Sequence, residues 1–294
     1  MRDRLATLLV ATAVLNLATA GASAGQWWWP PTWTPTPTRT PTPTCPPQSA
    51  AIGGQCVALT TCAPDAVRVG PLCVDKYEAS VWDVPQALVS KVQNGTATLT
   101  DLTYGGATEI SPSSSCSPVF PGTFPADGQW TEPLYAASIA GVPPTACITW
   151  FQADQACRLS GKRLLTNGEW QSAAAGTPNG LASPGPADCN TSSSYATDTG
   201  SRANCKSSWG AFDMVGNVEE WVQDWVPLST ACPGWSGGFS GDFMCLAGAD
   251  TTDGPGALVR GGSFGGGSTA GPFGVGGSSL PWLSLDFIGF RCAR

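Results

Sequence analysis

Phe212-Asp213-Met214-Val215-Gly216-Asn217-Val218-Glu219-Glu220-Trp221-Val222-Gln223-Asp224-Trp225 brings acids, a Gly-Asn pair and two tryptophans into one short segment. Asp213 and Glu220 lie seven residues apart with Gly216-Asn217 between them, so a turn there would gather both carboxylates and the intervening carbonyls around one hard cation. The competing reading is ordinary helix-start chemistry: Asn217 caps a short helix and Trp221 enters the core. On either reading Glu219 and Asp224 fall off the ligand spacing and are expected to face solvent.

Around this segment the composition narrows the field. The chain has 294 residues, 42% of them apolar and only 12% charged, with 36 glycines and 26 prolines, which favours a loop-rich globular fold over a helical bundle. Its net charge is −7 and it has no basic cluster, which argues against nucleic-acid binding. Histidine is absent, so a His-ligated zinc or iron site, a Ser-His or Cys-His nucleophile pair and an imidazole base are all excluded within the chain.

Twelve cysteines suit an oxidising compartment. Arg2 and Arg4 precede an apolar run from Leu5 to Ala20, and Ala22-Ser23-Ala24 supplies a small-x-small cleavage signal, so residues 1–24 read as a signal peptide. The run is shorter than the roughly 20 residues that span a bilayer. A secreted or periplasmic protein without a membrane span is expected. Residues 25–47, with Trp27-Trp28-Trp29 followed by Pro-Thr alternation, read as a stiff extended linker. Residues 48–71 form a Cys-rich lead-in; with Cys45, Cys56, Cys62 and Cys73 spaced by eleven, six and eleven, disulfides fit better than a metal knuckle, and three pairings stay open.

From Leu72 onward the pattern is that of a domain, 72–294. Val74 to Val81 reads as one strand, and 91–141 as long loops. Helical spacing of Trp150, Ala153, Ala156 and Cys157 before Gly161 predicts a helix over 150–160. Thr166 and Glu169 form a capping box for a second helix that stops at Gly176. Cys189 and Cys205, sixteen apart, are expected to be bridged. Cys232 and Cys245, thirteen apart, read as a loop-closing disulfide, with a displaced redox pair as the rival.

Taken in order, Gly161-Lys162-Arg163-Leu164-Leu165-Thr166 with Glu169-Trp170, Asp213-Met214-Val215-Gly216-Asn217-Val218 with Glu220-Trp221, Arg260-Gly261-Gly262-Ser263, and Gly289-Phe290-Arg291 closely resemble the formylglycine-generating enzyme (sulfatase-modifying factor) domain family. The resemblance implies an α+β, C-type-lectin-like fold, poor in regular structure and stapled by disulfides. It implies a structural calcium held by the side chains of Asp213 and Glu220 and the carbonyls of Gly216 and Val218, and a second calcium near Asn190, with Asp198 as a further ligand. It implies a disulfide between Cys157 and Cys292. The oxidising members carry two cysteines where this chain has Gly266 and Gly271. Glycine offers neither a thiolate ligand for Cu(I) nor a redox partner, so no copper is expected. The iron-dependent branch of the family ligates through histidine and is excluded. The expectation is therefore a monomeric, secreted, calcium-stabilised binding or structural module for a peptide or carbohydrate, with Trp282 and Trp235 as candidate sugar-stacking surfaces. The alternative is a formylglycine-generating oxidase or another activity of the family.

Overall fold

A computed structural model describes residues 49–52, 55–58, 61–110, 116, 120–235 and 241–294. The signal-peptide and linker expectations lie outside the described residues. Cys45–Arg294 forms one compact unit.

The chain enters through β1 (Ser49–Ile52) and β2 (Gln55–Ala58), an antiparallel hairpin. β3 (Ala66–Val69) and β4 (Leu72–Asp75) follow, then β5 (Ala79–Asp83), α1 (Gln86–Gln93), α2 (Leu99–Tyr104), β6 (Thr108–Glu109) and β7 (Tyr135–Ser138). α3 (Trp150–Leu159), β8 (Arg163–Leu164) and α4 (Asn167–Ala173) come next. A long loop leads to β9 (Glu219–Leu228), β10 (Met244–Cys245), β11 (Asp250–Arg260), a 3-10 turn at Gly267–Thr269, β12 (Val275–Ser279), β13 (Ile288–Phe290) and β14 (Cys292–Ala293). The strands make a five-stranded sheet β10-β12-β11-β9-β13, a four-stranded sheet β3-β4-β14-β8 and a three-stranded sheet β6-β5-β7. The boundary placed at residue 72 falls inside the β3–β4 hairpin, so the end of the lead-in is part of the four-stranded sheet.

α3 forms because Thr149 and Gln152 close a capping box, while Ala153, Ala156 and Cys157 bury one face; Gly161, at φ 68°, lets the chain turn away. α4 uses Thr166 and Glu169 in the same way, and Arg163 grips the Glu169 carboxylate with two 2.7 Å bonds. Three sequence expectations need correction. The strand expected over 74–81 breaks at Lys76-Tyr77-Glu78, which places β4 and β5 in different sheets. The region 91–141 holds α2, capped by Thr98 and Asp101, together with β6 and β7. The segment after Asn217 is strand, not helix. Val218, Trp221, Val222, Trp225 and Val226 repeat at helical spacing, yet these β-branched and aromatic residues follow the pairing of β9 between β11 and β13.

One core cluster gathers Trp221, Ile288, Phe290, Leu164, Ile148 and the Cys157–Cys292 pair; another packs Trp170, Met214, Val222, Leu165 and Leu258. Among the described residues disulfides join Cys62–Cys73, Cys116–Cys147, Cys157–Cys292, Cys189–Cys205 and Cys232–Cys245.

Candidate functional site

The turn before β9 is built by residues that tolerate left-handed backbone. Asp213, Gly216 and Asn217 take φ 58°, 74° and 57°. A Cβ at Gly216 would lie 2.4 Å from the Asn190 carbonyl oxygen, so glycine is required there. The turn swings Asp213 and Glu220 inward, where both are buried.

What Glu220 meets inside is a guanidinium. Arg291, fully buried after β13, donates from Nη2 to Glu220 Oε1 at 2.7 Å and from Nε to both Glu220 oxygens at 3.1 and 3.2 Å. Its remaining donors reach the carbonyls of Asp75 at 2.9 Å and Phe212 at 2.7 Å. The Trp170 indole N–H donates to Glu220 Oε2 at 2.7 Å. Glu78 completes the cluster: its oxygens accept from Asn217 Nδ2 at 2.6 Å and from the Val218 N–H at 3.1 Å. Burial, reinforced by the charges of Asp213 and Glu220, raises the Glu78 carboxyl well above its ordinary range. Burial likewise pushes Asp213 up to about 6, although the Gly200 N–H at 2.7 Å opposes it.

Of the calcium set implied by the resemblance, Glu220 is already engaged. Both Glu220 oxygens are taken by Arg291 and Trp170, so the turn's carboxylate already has a cation. At the second implied site, Asn190 donates to Asn217 Oδ1 and the Tyr195 carbonyl, both at 3.1 Å, and accepts from Ser193 at 2.7 Å. Asp198 contributes its carbonyl to the Ser201 N–H. No three Asp, Glu, Cys or His side chains among the described residues group as a metal site.

Glu78 and Arg291 are the functional partners that sequence reasoning left out of this cluster. Charged residues inside the apolar-flanked run Val74-Asp75-Lys76-Tyr77-Glu78 were the available signal. Glu219, expected to face solvent, is half-buried, and burial raises its carboxyl to about 7. Asp224 is exposed as expected and accepts from the Asn167 N–H at 2.6 Å at the start of α4.

Of the two positions where the oxidising relatives carry cysteines, Gly271 is closed to a side chain and Gly266 is tight. A Cβ on Gly271 would sit 2.2 Å from the carboxylate of Asp242, a fully buried residue that accepts from the Phe273 N–H at 2.8 Å. A Cβ on Gly266 would meet Ala270 at 3.0 Å. Beside them Arg260 is buried over the Trp170 ring at 4.6 Å, bonded to Gln171 and to the Pro272 carbonyl, and burial lowers its guanidinium to about 10. Among the described residues no cysteine is free.

Of the tryptophans considered as ligand surfaces, Trp235 packs on the core and donates to the Phe273 carbonyl at 2.8 Å, whereas Trp282 is 50% exposed. Two grooves open on the described surface. One, of about 410 Å³, lies between the β3–β4 turn and α4 beside Trp209. The other, of about 360 Å³, follows β9 and β11 at Trp225.

A sequence model of the sulfatase-modifying factor enzyme 1-like domain matches residues 125–294. Serine/threonine-protein kinase Pkn1 of Chlamydia trachomatis serovar L2 is 37% identical over 97 residues, which are 32% of this chain and 15% of that protein. The pkn1 kinase of Chlamydia pneumoniae is 35% identical over the same shares. The chain thus spans about 15% of the length of the curated relatives it matches. Among solved structures, Major Tropism Determinant I1 variant aligns at 17% identity and TM-score 0.46, over 78% of this chain and 52% of that one. PvdO from Pseudomonas aeruginosa aligns at 17% identity and TM-score 0.41, over 76% of this chain and 80% of that one.

Proposed function

The chain belongs to the sulfatase-modifying factor enzyme 1-like family, and on that premise we propose that it is a non-catalytic, extracytoplasmic binding module. Its fold is the α+β, C-type-lectin-like fold of formylglycine-generating enzymes, with small mixed sheets, few helices and disulfide staples. The observation that carries the functional reading is the closure of the thiol positions. Gly266 and Gly271 supply no thiolate, Asp242 occupies the space a side chain on Gly271 would need, and Ala270 crowds the Cβ position of Gly266. Cys232 and Cys245, the alternative redox pair, are bonded to each other. Disulfides joining both local and distant segments support an oxidising compartment. Among the described residues no helix is long and apolar enough to cross a membrane. The module would act as a monomer and present its ligand surface, for a peptide or a carbohydrate, on the loop-rich faces of the sheets.

The test is incubation of the purified protein with a Cys-containing sulfatase peptide and Cu(I), followed by mass spectrometry. The peptide thiol is expected to survive. Its conversion to formylglycine would overturn the non-catalytic reading.

A further inference from the structure

The β9–β11 ladder contains a local opening. Pro255 pairs with Pro227 and Asp250 with Leu228, so adjacent residues on β9 face residues five apart on β11. Residues 251–254 therefore stand out of the ladder as a bulge, with Gly254 at φ 104°. Under this bulge lies the cleft of about 360 Å³, lined by Trp225, Val226, Pro227, Asp250, Thr251 and Pro255. That volume lies at the low end of small-molecule sites, roughly 300–1,000 Å³.

Its walls are fixed. Trp225 is 41% exposed, yet its ring is held edge-on by Trp150 at 4.9 Å and Phe151 at 5.8 Å. Trp150 is itself anchored by a 2.8 Å bond to the Val222 carbonyl. Trp282 lies on the other side of the bulge, against Gly254, where a Cβ would come within 3.2 Å of the indole. Asp250 is pinned by the Thr252 N–H at 2.7 Å and hydroxyl at 2.6 Å, both on Oδ1. Those bonds hold the carboxyl below its usual range, so it is ionised at neutral pH.

We propose that this cleft binds a neutral saccharide, with the Trp225 face under the C–H face of a sugar ring and Asp250 and Thr251 at its hydroxyl rim. The inference rests on the binding-module reading above. An indole matches the apolar face of a pyranose and an oriented carboxylate accepts from vicinal hydroxyls, so the cleft offers both halves of sugar chemistry. Asp250, Asp253 and a net charge of −7 disfavour acidic sugars. A quaternary ammonium ligand would want a closed aromatic cage, whereas this cleft opens along the strand.

The full chain is titrated with cellohexaose, chitohexaose, mannohexaose, xylohexaose and choline, reading tryptophan fluorescence and calorimetry. At least one neutral hexasaccharide is expected to bind with Kd of roughly 0.1–1 mM. Trp225→Ala and Asp250→Asn should each weaken it tenfold or more, and Trp282→Ala measurably, while Trp209→Ala in the other groove leaves it unchanged. Circular dichroism melting of each variant separates lost binding from lost folding. Absence of saccharide binding up to about 10 mM, binding by choline alone, or saccharide binding indifferent to both Trp225→Ala and Asp250→Asn would overturn the proposal. Such a failure leaves the non-catalytic reading standing if the sulfatase peptide is untouched; oxidation of that peptide defeats the non-catalytic reading whatever the sugars do.

Discussion

Replacing Arg291 by leucine would strip the central cluster of its cation. The wild-type guanidinium is fully buried and makes three contacts to Glu220 at 2.7–3.2 Å and two to backbone carbonyls. Its removal leaves Glu220 facing the other buried acids, Glu78 and Asp213, and leaves the Asp75 and Phe212 carbonyls without this donor. Breaking a buried ion pair on one side costs about 3–5 kcal/mol. For a domain of this size each kcal/mol moves the melting temperature by about 2–4 °C, so a drop of about 6–20 °C is expected. The assay is thermal and urea unfolding with disulfides intact, run with EDTA and with millimolar calcium. Adding Glu220→Gln to Arg291→Leu should recover about 1–3 kcal/mol, because the orphaned charge is gone. The wild type is expected to melt at the same temperature in EDTA and in calcium. A calcium-restored loss on EDTA treatment, or an Arg291→Leu variant within about 1 kcal/mol of wild type, would refute it.

The raised carboxyls make stability pH-dependent in a defined direction. Asp213 moves from 3.8 to about 6 and Glu219 from 4.5 to about 7, so their contribution is fully present below about pH 4 and is lost as pH rises through 6 to 7. Glu219→Gln should therefore stabilise by about 1–3 kcal/mol at pH 8 and by almost nothing at pH 4, measured by urea midpoints; equal effects at both would contradict the burial of this side chain. Introducing cysteines at Gly266 and Gly271 together should destabilise the domain by about 1–3 kcal/mol, because Asp242 must be displaced, without creating copper-dependent thiol loss in a peptide. Converting Cys157 and Cys292 to alanine, which opens a loop of 135 residues, should cost about 2–5 kcal/mol by denaturant melts.

What was legible in the residues was local chemistry and motif order. The two capping boxes at Thr149 and Thr166 satisfy orphan backbone donors within four residues, so α3 and α4 could be read from short windows. The Asp213–Glu220 turn was readable for the same reason, through Gly216-Asn217. What faces that turn was not. Arg291 meets Glu220 across 71 positions and Glu78 meets Asn217 across 139, and no periodicity encodes which partner arrives. β9 was masked by an accidental helical spacing of its apolar residues, which pairing with β11 and β13 overrides. α1 and α2 went unread because eight and six residues are too short for a periodic signal. The cleft at Trp225 arises from a ladder irregularity, which depends on register between strands more than twenty residues apart and has no local signature.

Residues 288–293 close two sheets at once: β13 pairs with β9, and β14 inserts between β4 and β8. Ala293 pairs with Val74, across most of the domain, so neither sheet can be completed until the ribosome has delivered these last strands. Cys62–Cys73, Cys189–Cys205 and Cys232–Cys245 each join sulfurs no more than 16 residues apart and need no distant segment to form. Cys157 must wait for Cys292. A nascent chain oxidised too early would hold an exposed Cys157 thiolate near several finished disulfides, and thiol–disulfide exchange there would scramble them. Pairing Cys157 with Cys292 thus ties α3 to the far end of the fold, and maturation would favour an environment where disulfides can still be isomerised after residues 288–293 are in place.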